Sequence, residues 1–366
     1  MINDVNAGGG VRDIALDLVR GLRRGHRTIL LSIEPLGSTD FATPDLDLHT
    51  LEHRRTAHSR FARLREVLTV GRKLGRFVSS NDIDTVVAFG HDWASAAALA
   101  LPRSIKTIAY EHAPYQNVSA TWRWIRAKCY PRLDAVVSRT AQDLPLYRQI
   151  SRMALSIPEG VEVDTRASAS EGRQKILLTI APLDVRSGID RLLWSLKQPL
   201  LDHPDWKLVV LGDGETADWG YMTNVFHLYE LLRLENQIEF YPAVAPMDDW
   251  YRRASICVTA ARVEELRIVL LNAKAHALPI IAFDGSPWSA EFIRTGVDGF
   301  VIGNDGQEFA DAATMLMSDV GLRCRMGNAG QEDAQKRFSR DGIISQWREL
   351  VERLHEDAGI PASGPN

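Results

Sequence analysis

Short apolar runs and helix-spaced apolar stripes alternate along the whole chain. In the first half, the runs 28–33, 84–89, 105–110 and 134–138 read as buried strands. The stretches between them repeat at helical intervals. Ile14, Leu18 and Leu22 follow a glycine run, and Phe61, Leu64, Leu68, Leu74 and Phe77 trace a stripe on a helix predicted over 57–78. A small-residue helix runs through Ala100, and a further helix carries Trp122, Trp124 and Ile125. The second half repeats the alternation, with strands expected at 175–180, 206–211, 238–240, 256–258, 279–283 and 300–302. A final helix over 342–355 sets Ile343, Ile344, Trp347, Leu350, Val351 and Leu354 on one side. Strand and helix in strict alternation predict parallel sheets covered on both faces. The small, polar run 165–173 is the best linker, so the expected organisation is a domain over 1–164 and a second over 174–366. The last helix of the second is placed to pack back toward the first.

Composition narrows the class. Hydrophobic residues make up 45% and charged residues 25% of 366 positions, which describes a folded chain of about two domains. Lys plus Arg is 43 against 47 Asp plus Glu, a formal net charge of −4, and this disfavours a nonspecific nucleic-acid binder. Cys129, Cys257 and Cys324 lie far apart and form neither a disulfide framework nor a metal-spaced cluster. The opening residues carry no basic-then-apolar leader, and no window holds eighteen consecutive apolar residues. A cytoplasmic address is the expectation. The predicted helix over 57–78 carries Arg60, Arg63, Arg65, Arg72, Lys73 and Arg76 against Glu66 alone, so a peripheral contact with the inner membrane face is added to it.

Motifs then point to chemistry. Gly8, Gly9 and Gly10 precede a helix, a setting in which the backbone approaches a ligand closely with free N–H groups. Gly188 with Asp190, Gly212 and Gly214 around Asp213, Glu264 before Val269, Leu270 and Leu271, and Gly296 to Gly299 follow in order. Ile157, Pro158, Glu159 and Gly160 lie before the linker, and Arg337 and Phe338 close the set. In order and spacing these resemble the family-4 glycosyltransferases, retaining nucleotide-sugar enzymes of the GT-B fold. The resemblance implies two facing Rossmann-like α/β domains, with the acceptor on the first, the donor on the second and a cleft between them. The usual first strand is reduced to Met1, Ile2 and Asn3, so the expectation is that either the reading frame is shortened or that sheet edge is built differently.

The resemblance also implies roles. Glu264 matches the first carboxylate of the family's paired-glutamate motif, and the second position holds Asn272, an amide that hydrogen-bonds without charge. His112, with Glu111 before it and His91 after the preceding strand, falls where the family often has a histidine, whose imidazole can donate to a sugar hydroxyl or a phosphate oxygen. Gly212, Gly214, Val269 and Leu270 fall on the donor side. The family's diphosphate-binding arginine and lysine are replaced by Pro182 and Ser187, leaving Arg186, Arg262 and Arg267 as substitutes. No cofactor and no metal is expected; a UDP- or GDP-sugar is the donor substrate, and a glycan or lipid-linked molecule the acceptor. Two readings follow: a transferase with a divergent donor pocket, or an inactive relative serving as a binding or scaffold partner in the same assembly system. A nicotinamide dehydrogenase ranks below both, because the glycines lack the Gly-x-Gly-x-x-Gly order. A hydrolase ranks lower too, for want of a nucleophile elbow.

Overall fold

Every strand pairing among the described residues of the computed structural model is parallel. The structure describes residues 1–4, 10–35, 46–54, 60–165, 172–214, 217–243, 247–262, 267–284 and 289–356. They divide into two units, residues 1–160 with 340–366 and residues 161–339.

In the first unit the strands are β1 (Leu30–Ser32), β2 (Leu48–Thr50), β3 (Thr85–Phe89), β4 (Lys106–Glu111), β5 (Ala135–Ser138) and β6 (Ala154–Ser156). β2 and β6 are three residues each, too short and too mixed to stand out as apolar runs. Residues 1–3 join the β1–β2 ladder to the β3–β4–β5–β6 ladder. Ile2 bridges to Ser32, and the Phe89 N–H donates to the Met1 carbonyl at 3.0 Å. The strand earliest in sequence thus lies in the middle, and later strands are laid down to either side, the doubly wound order.

Alternate residues of each strand face opposite cores, as a pleat requires. Val86 and Ala88 join the core under α2 (Arg60–Ser80), α3 (His91–Ala100) and α4 (Ala120–Cys129). Phe89, Ile108 and Tyr110 join the core under α1 (Gly10–Leu22) and α13 (Arg340–Glu356), which includes all six apolar residues predicted for the last helix. A short α5 (Leu144–Tyr147) precedes β6.

One expectation is corrected here. The face of α2 that enters the core is Val67, Val70, Leu74 and Val78, whereas Leu64 and Leu68 are 42% and 44% exposed. Gly71 explains the choice. A Cβ there would stand 3.0 Å from the Ala100 Cβ and 3.1 Å from the Ala96 carbonyl, so the glycine lets α2 lie close against α3 on that face. Glu66, read as the lone acid of a solvated face, is buried and meets His53 at 3.1 Å.

The second unit holds a six-stranded sheet in the order β12-β11-β10-β7-β8-β9. Its strands are β7 (Ile176–Ile180), β8 (Lys207–Gly212), β9 (Ile238–Pro242), β10 (Ile256–Thr259), β11 (Ile280–Phe283) and β12 (Gly299–Ile302). The helices are α6 (Ile189–Asp202), α7 (Trp219–Leu232), α8 (Asp248–Arg253), α9 (Arg267–Ala275), α10 (Ser289–Phe292), α11 (Gly306–Ser318) and α12 (Val320–Arg337). Again the first strand is central, with the order reversing between β7 and β10. Behind this sheet, the buried Lys274 of α9 donates to the Phe292 carbonyl at 2.7 Å and to Asp298 at 3.1 Å, and pairs with Asp333 of α12. The ammonium finds partners from several elements, as a buried cation must. Asp298, part of the Gly296–Gly299 motif, is therefore a packing residue.

Candidate active site

In a doubly wound sheet, ligands bind beyond the carboxyl ends of the strands where the order reverses, because the loops there diverge to opposite faces and leave a crevice. In the second unit that point is bounded by the loops after β7 and β10. Gly188 brings them together. Its φ is +66°, and a Cβ on it would lie 2.1 Å from the Ala260 carbonyl oxygen, so only glycine permits the approach. The Arg262 N–H donates to the Arg186 carbonyl at 2.8 Å, closing the contact from the other side.

A polar cluster sits on this backbone frame. The Arg262 guanidinium donates to the Val185 carbonyl at 2.7 Å and to both oxygens of Asp190, at 3.1 and 2.8 Å. The Tyr221 hydroxyl on α7 donates to Asp190 at 2.7 Å. Burial would raise the Asp190 carboxyl, and these donors outweigh it, holding it below the usual carboxylate range. Next to it, Arg186 donates to Asp184 through Nε at 2.9 Å and Nη2 at 2.7 Å, and that side-chain bond holds the Asp184 carboxyl down as well. Both arginines are half-exposed, at 46% and 37% of their side chains. The cluster offers two guanidinium forks on the loops at this switch point, each steadied by a carboxylate. Such forks suit a bidentate oxyanion like a diphosphate.

The corresponding edge of the first unit gathers His91, His112, Arg139 and Glu159. Gly90, at φ +91°, makes room for His112, whose Cε1 would stand 2.9 Å from a Cβ at that position. Arg139 donates to the His112 carbonyl at 2.8 Å and pairs with Glu159. His91, first residue of α3, meets Asp92 at 3.0 Å and packs edge-on against Trp122 at 4.8 Å between centroids. Trp122 is core, and Trp124 of the same helix is exposed.

The two halves match the family signatures described as "Glycosyltransferase Family 4" over residues 8–153 and "Glycosyl transferases group 1" over residues 174–319. The chain is a GT-B glycosyltransferase related to the family-4 enzymes. At the level of fold and family, it transfers a sugar from a nucleotide-diphosphate sugar to an acceptor. An exopolysaccharide phosphotransferase of Streptomyces coelicolor is 29% identical over 289 residues, covering 77% of this chain and 30% of that much longer protein. An uncharacterized glycosyltransferase of Haemophilus influenzae is 22% identical over 96% of this chain and 98% of its own length. Among solved structures, Anabaena HepE in complex with UDP superposes with a TM-score of 0.77 at 15% identity, over 96% of this chain and 98% of that one, which shows the shared fold.

The structure of this glycosyltransferase sorts the residues expected from sequence. Gly8, Gly9 and Glu264 lie outside the described residues; Gly10 opens α1. Arg186 and Arg262 are brought together at the β7–β10 crevice. Gly212 serves packing, since a Cβ on it would meet Leu183 at 2.3 Å, while Gly214 has open space around it. Val269 and Leu270 point their side chains into the core, and the Asn272 side chain hydrogen-bonds Tyr251. Arg267 is buried at the start of α9. Glu111 is turned away from His112 into the interior, where Arg126 donates to it at 2.6 Å and the Tyr130 hydroxyl donates to its other oxygen. Burial opposes the charge on Arg126, and Glu111 with the neighbouring tyrosines overrides it, keeping the guanidinium charged. Glu111 thus holds α4 to the end of β4.

Asp184, Tyr221 and Arg139 were not anticipated. Asp184 and Arg139 each lie in a loop after a strand, where a sequence reading could have weighed them. Tyr221 carries no local signal, because only the fold brings α7 to Asp190. Among the described residues, no group of three or more His, Cys, Asp or Glu side chains could hold a metal ion.

The frame makes a direct prediction. Gly188→Ala should destabilise the protein by at least about 2 kcal/mol in urea melts, from the positive φ and the Ala260 clash together. Gly214→Ala should stay within about 0.5 kcal/mol. Equal effects would contradict the role given to Gly188.

Proposed function

We propose that this chain is a retaining transferase that moves a sugar from UDP or GDP onto a glycan or lipid-linked acceptor in polysaccharide or glycoconjugate assembly. The observation that carries this reading is the paired-arginine crevice at the β7–β10 switch point. Arg186 and Arg262 take the diphosphate there, replacing the cations missing at Pro182 and Ser187. Glu264 addresses the transferred sugar, His112 a sugar hydroxyl or phosphate oxygen, and Val269, Leu270 and Asn272 act through the backbone of α9. Gly8 to Gly10, His91 and Glu111 belong to the acceptor side, Glu111 through the support it gives the β4 end.

During transfer the bond from C1 of the sugar to the diphosphate oxygen breaks, and the acceptor oxygen bonds C1 on the same face. The acceptor's proton passes to the departing phosphate oxygen, and the guanidinium groups stabilise the charge that develops there. The UDP bound by HepE supports the nucleotide class, and the Streptomyces relative's exopolysaccharide supports the pathway class.

A second reading is favoured by one observation. Asp184 and Asp190 already neutralise the two arginines, as they would in a relative that binds a glycan-assembly partner without catalysis. Isothermal titration with UDP, GDP, UDP-glucose and GDP-mannose separates the two. The transferase reading expects saturable binding that Arg262→Ala or Glu264→Ala weakens about tenfold or more, the worth of one charge-assisted hydrogen bond. A folded chain that binds none of them contradicts it and leaves the non-catalytic partner.

A lipid-linked acceptor also calls for a bilayer surface. Among the described residues no helix is long and apolar enough to cross a membrane. On α2, however, the exposed Leu64 and Leu68 stand among the exposed Arg63, Arg65, Arg72 and Arg76, apolar tips within a cationic face. In this reading the protein works on the cytoplasmic side, docked by α2. It should co-sediment with vesicles containing anionic lipid and not with neutral ones, and Leu64→Glu with Leu68→Glu should abolish this. Failure to co-sediment at low salt would remove the contact.

A further inference from the structure

The loop that follows β4 carries His112, and side chains from elsewhere in the first unit hold its main chain. Asp143 accepts the Tyr115 N–H at 3.0 Å, and Arg126 donates to the Tyr115 carbonyl at 3.3 Å. Arg139 donates to the His112 carbonyl at 2.8 Å through Nη1. Under the ring lies Gly90, where any Cβ would press on His112 Cε1. His112 itself keeps part of its surface open to solvent.

Arg139 is the first residue after β5, and its other terminal nitrogen, Nη2, pairs with Glu159. The two side chains are 13% and 5% exposed, so both charges have given up most of their water. That loss cancels much of the attraction between them, and a buried pair is therefore weak support for stability. Nor is this pair needed to join the segments it comes from. β5 and β6 already form a ladder, which the Ile157 N–H extends to the Ser138 carbonyl at 3.0 Å. Glu159 is also steadied from its other side. A Cβ on the next residue, Gly160, would lie 3.0 Å from the Arg340 Cα, so the chain there packs directly on the start of α13. What the guanidinium adds is its third contact. One planar fork reaches a fixed carboxylate with one arm and the backbone of His112 with the other, a geometry that a flexible ammonium would not impose.

We propose that Arg139 and Glu159 are positioning residues for His112. The carboxylate orients the guanidinium, and the guanidinium fixes the main chain from which the imidazole reaches the substrate. What His112 touches rests on the transferase reading; how it is held does not. A displacement of about 1 Å at a reacting group costs up to about a hundredfold in rate. Loosening this loop therefore shows in kcat, while donor affinity, assigned to the second unit, stays.

Removing one partner alone would leave the other charge buried and unpaired. The test therefore replaces both, Arg139→Met with Glu159→Leu, keeping similar volumes in the same packing. The first readout is nucleotide release by the full chain from UDP-glucose and GDP-mannose, with water as acceptor. The double variant is expected to keep Tm within about 3 °C and the donor KM within about twofold, while kcat falls at least about tenfold. Added to His112→Ala, the same two changes should cost less than about twofold more, because nothing is left to position. The second readout needs no turnover. It is the Cε1–Hε1 NMR signal of His112, assigned by its loss in His112→Ala. This signal should move in the double variant, while those of His203, His227 and His276 in the second unit hold their places. Glu159→Gln keeps the shape and removes the charge; it should show the same signature at smaller size, and it is read if the double variant does not fold. An unmoved His112 signal overturns the proposal, and so does an equal loss of kcat with and without His112. A wild-type protein that releases nucleotide from neither donor removes the transferase reading instead, and the His112 signal then decides alone whether the pair holds it.

Discussion

The approach of Gly188 to the Ala260 carbonyl sets the geometry on which the loops at the β7–β10 switch point depend. Two loops leave neighbouring parallel strands toward opposite faces of the sheet, and this contact seats the end of the first, at Gly188, against the start of the second, at Ala260. A side chain at 188 would force them apart. With them in place, Arg262 reaches both the Val185 carbonyl and Asp190, and Asp190 lies close enough to accept from Tyr221 on a third element. The strand order decides where the crevice is, and one glycine decides how narrow.

Electrostatics then shape what the crevice does. Each guanidinium is held by a carboxylate, so on the proposed reading a diphosphate would meet oriented donors whose charge is partly spent. A bare cationic pair would attract an anion more strongly and orient it less. The Arg186 side chain is 46% exposed, while its partner Asp184 is largely covered. Arg262 is more deeply committed through its carbonyl contact.

How much of this was legible depended on the range over which each signal acts. The central strands were plain because β7, β8 and β11 are buried on both faces and read as nearly continuous apolar runs. The three-residue β2 and β6 were not, since their pairing comes from neighbours rather than from their own side chains. On α2 the chain offered two apolar stripes, Leu64/Leu68 and Val67/Val70/Leu74/Val78, and only the fit of Gly71 against α3 selects the second. The same limit applied to the site. Arg186 and Arg262 could be picked out as the cations in two strand-end loops. Their carboxylate partners and Tyr221 depend on tertiary placement, as does the burial of Glu111 against Arg126.

In the proposed function the donor nucleotide is held between the loops after β7 and β10. Hydrogen–deuterium exchange with and without saturating UDP tests it most directly. Protection is expected in residues 181–190 and 260–262, while the buried strands β7 and β10, already protected, change little. Protection confined to the His91 and His112 edge of the first unit, with the β7 and β10 loops unaffected, would contradict it.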